Sequence, residues 1–227
     1  MRKIFGITMI ATLFGVATLA IGAVTPITGS NVQYEEGCVP DPYTQGVAGS
    51  GGLALQGDNA NDMITGTDLR DFLKGGGGDD VIKGLEDADC LFGEGDDDRL
   101  KGMDGKDRVE GGTGDDNVKG NDQKDEIDAG PGSDRANGGD GNDSVKARGG
   151  EDRVKGGAGN DTLKAGGGDD RANGNDGNDK INGGGGDDVI TDRDGRNKIK
   201  CGKGDDKVVT NRDSRVDDGC ERVRVKR

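Results

Sequence analysis

The eighteen residues Gly102-Met103-Asp104-Gly105-Lys106-Asp107-Arg108-Val109-Glu110-Gly111-Gly112-Thr113-Gly114-Asp115-Asp116-Asn117-Val118-Lys119 decide how this chain is read. They divide into two blocks of nine that share glycine at positions one and four, aspartate at six and valine at eight. The same frame extends in both directions without insertion or deletion, from Gly57 to Val209, and gives seventeen blocks. Position six is aspartate in sixteen of them, Asn197 being the exception, and position eight is aliphatic in all, from Ile64 to Val208. Position one is glycine in twelve. A fixed period of this kind is the mark of a solenoid.

The two quoted blocks also differ, and the difference sets the size of a coil. In the blocks opening at Gly75, Gly93, Gly111, Ala147, Ala165, Gly183 and Cys201, position five is acidic: Asp79, Asp97, Asp115, Glu151, Asp169, Asp187 and Asp205. In the intervening blocks the acid sits mostly at position three, as in Asp68, Glu86, Asp104, Asp122, Asp140, Asp176 and Asp194. The true repeat is therefore eighteen residues. A coil of two strands and two turns explains it, since alternate turns then lie on opposite edges and stack only on their own kind. Positions seven to nine are expected as a short strand with the aliphatic residue inward and its neighbours outward. Glycines at one, two and four are expected to supply positive φ in the turns.

Composition narrows the chemistry. The chain has 227 residues, 47 of them glycine, with 29% hydrophobic and only 3% aromatic residues. Without the repeat register this composition would suggest disorder. The net charge is −14, from 45 acidic against 31 basic residues, which argues against nucleic acid as a partner because a phosphate backbone needs a basic footprint. There is no histidine, so the commonest general base and the usual nitrogen ligand for zinc or copper are both missing. Oxygen donors dominate, and they suit calcium, which takes about six to eight oxygens in irregular geometry.

Arg2 and Lys3 precede an uncharged apolar stretch, Ile4 to Val24, that ends in small residues around Ala20, Gly22 and Ala23. This is the layout of a secretory signal, so residues 1–24 are expected as a signal peptide. An uncleaved membrane anchor is the alternative, and either route exports the repeats. Residues 25–56 are expected as an amino-terminal cap or linker, 57–209 as the repeat array, and 210–227 as a terminal cap strand with a basic tail. Four cysteines fit an oxidising compartment. Cys201 and Cys220 are nineteen residues apart, close to one coil, and stacked neighbours lie about 4.8 Å apart, within disulfide reach. Cys38 and Cys90 then pair by elimination, with free cysteines as the alternative.

The block Gly111–Lys119 reads G-G-x-G-x-D-x-U-x in full, as do the blocks opening at Gly75, Gly138, Gly156 and Gly183. This pattern resembles the RTX, or hemolysin-type, calcium-binding nonapeptide repeat, over about two thirds of the chain. The resemblance implies an all-β fold, a right-handed parallel β-roll with two strands and 18 residues per coil and short irregular caps. It implies multiple Ca2+ ions held between coils by turn carbonyls and position-six carboxylates. Carried over by position, the ligands are Asp80, Asp98, Asp107, Asp116, Asp134, Asp143, Asp152, Asp161, Asp170, Asp179, Asp188 and Asp206. Many members of that family leave through type I secretion with a carboxy-terminal signal. This chain departs from them, with its amino-terminal signal and a basic Arg222–Arg227 end.

The expected function is that of an exported, non-enzymatic calcium-binding protein whose roll folds on binding the ion. Unneutralised rows of aspartate repel one another, so ordering is expected to wait for the metal. A calcium-dependent adhesion or protein-binding scaffold at the cell surface, or in extracellular matrix, is the alternative. An enzyme is not expected: about 32 residues between the signal and the array, and about 18 after it, are too few for a catalytic fold. Ice binding needs a flat outward ladder, and Thr65, Thr113, Thr162 and Thr191 form no such row.

Overall fold

The computed structural model describes residues 25–26, 38, 52–217 and 219–226. The expected signal segment, residues 1–24, and most of the 25–56 stretch lie outside the described residues. Every described element is a strand. Successive strands alternate between an eleven-stranded and a ten-stranded sheet, and apart from one antiparallel edge pair every neighbour within a sheet runs parallel. Each strand pairs with the one a full coil later: Val145 faces Leu163, which faces Ile181, and Val154 faces Ala172, which faces Ile190. The eighteen-residue coil and the parallel β-roll architecture are therefore as the sequence predicts.

The strands are longer than expected. Instead of three residues they span six in most coils, for example Arg108–Thr113 and Arg153–Ala158. They run through positions seven, eight and nine into one, two and three of the next block. The ladder carries on through the glycines, so that Gly139 pairs with both Asn121 and Gly157. Two side-chain positions per strand then face inward, eight and one, and both are buried along almost the whole array.

That alternation explains the choice of residues. The position-eight column, including Leu73, Ile82, Leu91, Leu100, Ile127 and Leu163, is fully buried and forms the apolar core. Position one is inward too, and there the chain uses glycine, or Ala129, Ala147, Ala165 and Cys201, with Asp192 as the charged exception. Glycine at position one is thus about room and not, as expected, about positive φ: positive φ falls at positions two and four, as at Gly112 (119°) and Gly114 (131°). Where glycine is missing from those positions, Asp87, Gln123 and Arg148 adopt positive φ themselves, at some local cost in backbone energy.

The ends differ from the middle. Thr25–Pro26 lies antiparallel on Ala54–Gln56, at the edge of the eleven-stranded sheet. Cys38 bonds to Cys90, with Cα atoms 5.7 Å apart, and covers an outward apolar patch made by Phe72 and Phe92. At the other end Cys201 bonds to Cys220 with Cα atoms 5.3 Å apart, and Arg222–Val225 adds a last parallel strand in register with Lys207–Thr210. Both expected cysteine pairings are present.

Candidate metal centre

Each position-six aspartate immediately precedes a strand and is carried into the roll by the turn before it. All twelve aspartates named from the sequence are buried, none more than 2% exposed. Their Oδ1 atoms form a ladder. The Asp98 amide donates to Asp116 Oδ1 at 2.8 Å, the Asp116 amide to Asp134 Oδ1 at 2.8 Å, and the Asp134 amide to Asp152 Oδ1 at 2.8 Å. The opposite edge repeats the pattern, from Asp107 to Asp125 (2.9 Å), Asp125 to Asp143 (2.8 Å) and Asp143 to Asp161 (2.8 Å). One carboxylate oxygen of each residue is thereby committed to a backbone N–H one coil earlier. The ladders end on substitute acceptors: Glu221 Oε2 takes the Asp206 amide at 3.0 Å, and Ser214 Oγ takes the Asn197 amide at 3.3 Å.

The other oxygen is orphaned. Oδ2 of all twelve aspartates is buried with no hydrogen-bond partner. Where position one is glycine, the space beside that residue, five positions earlier, is the space this oxygen faces. A Cβ placed on Gly111 would lie 2.4 Å from Asp116 Oδ2 and 2.3 Å from the carbonyl oxygen of Ala129 in the next coil. A Cβ on Gly93 would lie 2.2 Å from Asp98 Oδ2 and 2.3 Å from the Gly111 carbonyl oxygen. Gly138 and Gly156 repeat the geometry with Asp143 and Asp161. Carboxylate and carbonyl oxygens therefore face the same small space, and the carboxylate oxygen has no donor there. Such an arrangement is costly unless a proton or a cation enters it, and an all-oxygen set suits a hard divalent ion.

The carboxyls respond accordingly. Burial, with neighbouring aspartates adding to it, pushes Asp98 and Asp125 up to about 8 and Asp134, Asp161 and Asp170 up to about 7. Asp80, Asp107, Asp116 and Asp188 rise to about 6 through the same burial, and Asp143, Asp152, Asp179 and Asp206 also move upward. The ladder hydrogen bond from the backbone pulls each down and only partly offsets the burial. Each site thus has a strong demand for positive charge at neutral pH.

Sequence reasoning left out residues in equivalent places. Asp89 and Asp125 stand in the same ladders, with buried and unpartnered Oδ2 atoms. Their blocks carry Asp87 and Gln123 in place of glycine at position four, and both residues adopt the positive φ that glycine has there. Asp62 and Asp71, in the glycine-poor first blocks, differ: backbone amides of Asp58 and Thr67 donate to their Oδ2 atoms at 3.0 and 2.5 Å. The position-five acids shape the turns. The Asp115 amide donates to Asp97 Oδ1 and the Ser133 amide to Asp115 Oδ1, in an exposed ladder beside the buried one. Among the described residues no group of three or more acidic or cysteine side chains converges on one point. Any ion must therefore draw much of its shell from backbone carbonyls.

The model of the RTX calcium-binding nonapeptide repeat family, in four copies, matches residues 65–100, 101–136, 128–163, 155–190, 164–198 and 183–214. The chain belongs to this family. The matched segments together run over residues 65–214, the same stretch in which the buried carboxylate ladders stack. A calcium-binding β-roll is thus supported by both the repeat and the fold. No curated protein matches the chain significantly along its length.

Proposed function

We propose that this is an exported, non-enzymatic calcium-binding protein whose β-roll is completed by Ca2+ ions between stacked turns. The observation that carries the reading is the file of buried Oδ2 atoms, each without a donor, with those of Asp80, Asp98, Asp116, Asp143, Asp161 and Asp188 facing a carbonyl of the next coil. Calcium at these points would neutralise the carboxylates and satisfy the carbonyls together. The ligands assigned by this reading are the twelve aspartates named from the sequence, with Asp89 and Asp125 added on the same geometry. Apolar side chains alone supply a thin core, one aliphatic residue per nine, so order in the array rests on the ion.

The test is circular dichroism of the purified chain in chelator and in millimolar calcium, with calorimetric titration of the metal. The expected outcome is little β-signal in chelator, full β-signal in calcium, and many ions bound per chain. Full β-structure without any metal uptake at millimolar calcium would overturn the proposal.

A second reading, a calcium-dependent protein-binding scaffold at a cell surface or in matrix, draws on the outward face of the ten-stranded sheet. Arg135, Arg153 and Arg171 stack there in register and are exposed. They have no ion-pair partner among the described residues. A basic stripe of this kind would suit an acidic protein partner, and comparing pull-downs from extracellular material with and without calcium separates the two readings.

A further inference from the structure

One block breaks the repeat twice, and the two breaks are complementary. In Asp192–Lys200, position six is Asn197 where every other block has aspartate, and position one is Asp192 where all others carry glycine, alanine or cysteine. Position one faces the interior, and Asp192 is fully buried there.

The Asn197 turn closes itself with amides. Asn197 Oδ1 keeps its place in the ladder, accepting from the Asp179 amide at 2.8 Å, while its Nδ2 donates to the Asp194 carbonyl at 2.7 Å. Asn211 Nδ2 donates to the carbonyls of Arg193 (2.9 Å) and Gly195 (2.7 Å). Three successive carbonyls of this turn thus have N–H donors of their own, and the turn has no acceptor cluster left for a cation.

The missing carboxylate reappears one step away. A Cβ on Gly174 would lie 2.2 Å from Asp179 Oδ2 and 2.3 Å from Asp192 Oδ2, so the two oxygens share one interior space. Asp179 Oδ2 and both carboxylate oxygens of Asp192 are buried with no donor from the rest of the fold, and the two carboxyls can hydrogen-bond each other only while one of them is protonated. The next position-one residue along the sheet is Thr210, in register with Asp192, and its Oγ1 is also buried and unpartnered. At Gly75, Gly93, Gly111, Gly138, Gly156 and Gly183 the neighbouring position-one residue brings a carbonyl to the equivalent space. Here it brings a second carboxylate, with a hydroxyl in the adjoining strand.

We propose that Asp179 and Asp192, with Thr210 beside them, form a two-carboxylate divalent-cation site inside the roll, distinct in its donors from the repeating turn sites, and that it replaces the site lost at Asn197. The inference rests on the calcium-binding reading above. Two ionised carboxylates sharing a buried space repel strongly, and a divalent cation is the counter-charge that suits an all-oxygen donor set.

Native mass spectrometry of the whole purified chain in calcium counts bound ions as integers. Asp192→Gly restores the residue found at the equivalent Gly174, Gly156 and Gly138 and leaves Asp179 as the sole carboxylate of the pair, as in a turn site, so in a stepwise chelator titration one ion is expected to leave at a lower chelator concentration than in the wild type. Asp192→Ala, which introduces a residue tolerated at Ala147 and Ala165 in the other sheet, is expected to do the same, with circular dichroism in calcium verifying that each variant folds. Thr210→Val is expected to lose that ion at a lower chelator concentration than the wild type does. An ion count that falls at the same chelator concentrations in both Asp192 variants as in the wild type overturns the site while leaving the turn sites standing. A wild-type chain that binds no calcium overturns the underlying reading instead.

Discussion

The two oxygens of a position-six aspartate do different work, and a substitution can separate them. Asp116 Oδ1 accepts from the Asp98 amide, while Oδ2 faces carbonyl oxygen and no donor. Asp116→Asn preserves the acceptor and turns the orphaned oxygen into a donor, as Asn197 does naturally. The substitution removes a buried charge as well. In calcium-free buffer this variant is expected to be more ordered than the wild type, by about 1–2 kcal/mol, and in calcium to bind fewer ions. Asp116→Ala abolishes both functions, leaves the Asp98 amide without its acceptor, and is expected to cost about 1–3 kcal/mol under either condition. Circular dichroism across a calcium titration distinguishes them, since the asparagine variant gains β-signal at zero calcium and the alanine variant loses it.

The strands at the two ends face a problem that the middle strands do not, because an unpaired edge is a template for association. The amino-terminal end is covered by an antiparallel strand and by the Cys38–Cys90 bond over Phe72 and Phe92. The carboxy-terminal end has a last strand whose side chains are exposed, with Val223 44% and Val225 49% exposed, so little burial holds it. What secures it is the Cys201–Cys220 bond, the ion pair of Arg222 with Asp205 and the Glu221 side chain on the Asp206 amide. Replacing both Cys201 and Cys220 with serine is expected to weaken protection of Arg222–Val225 against hydrogen exchange by on the order of a hundredfold, about 3 kcal/mol for a loop of this length. Amides in Arg135–Asp140, at the centre of the array, should be unaffected in saturating calcium.

The stacked ladders make the entire roll sensitive to protons. Burial raises the folded carboxyls above the ordinary 3.8, Asp116 to about 6, Asp134 to about 7 and Asp98 to about 8. A raised carboxyl pKa means that the folded chain holds more protons than the unfolded one, so in the absence of metal stability is highest at low pH and declines as pH rises through that window. Calcium and protons compete for the same oxygens, so metal reverses the slope. Stripped protein is therefore expected to gain β-signal on going from about pH 8.5 to about pH 5.5, whereas the calcium needed for half-maximal folding should rise over the same interval. A stripped chain with no response across that range would contradict the burial of these carboxyls.

Spacing alone made the coil legible. A nine-residue register with two alternating classes admits two turns per coil and places Asp116 over Asp134 in the stack, and the same arithmetic set Cys201 beside Cys220. Spacing could not tell how far the strands run or why position one is small. Both depend on how closely the facing sheets approach, and the carbonyls that crowd Gly111 and Gly93 come from residues a full coil away. Nor could it mark Asp89, Asp125 or Asp192, since each occupies a block whose glycine pattern or charge pattern is irregular. Their place in the site is fixed by which backbone donors remain free in three dimensions, and a periodic sequence does not record hydrogen bonds between coils.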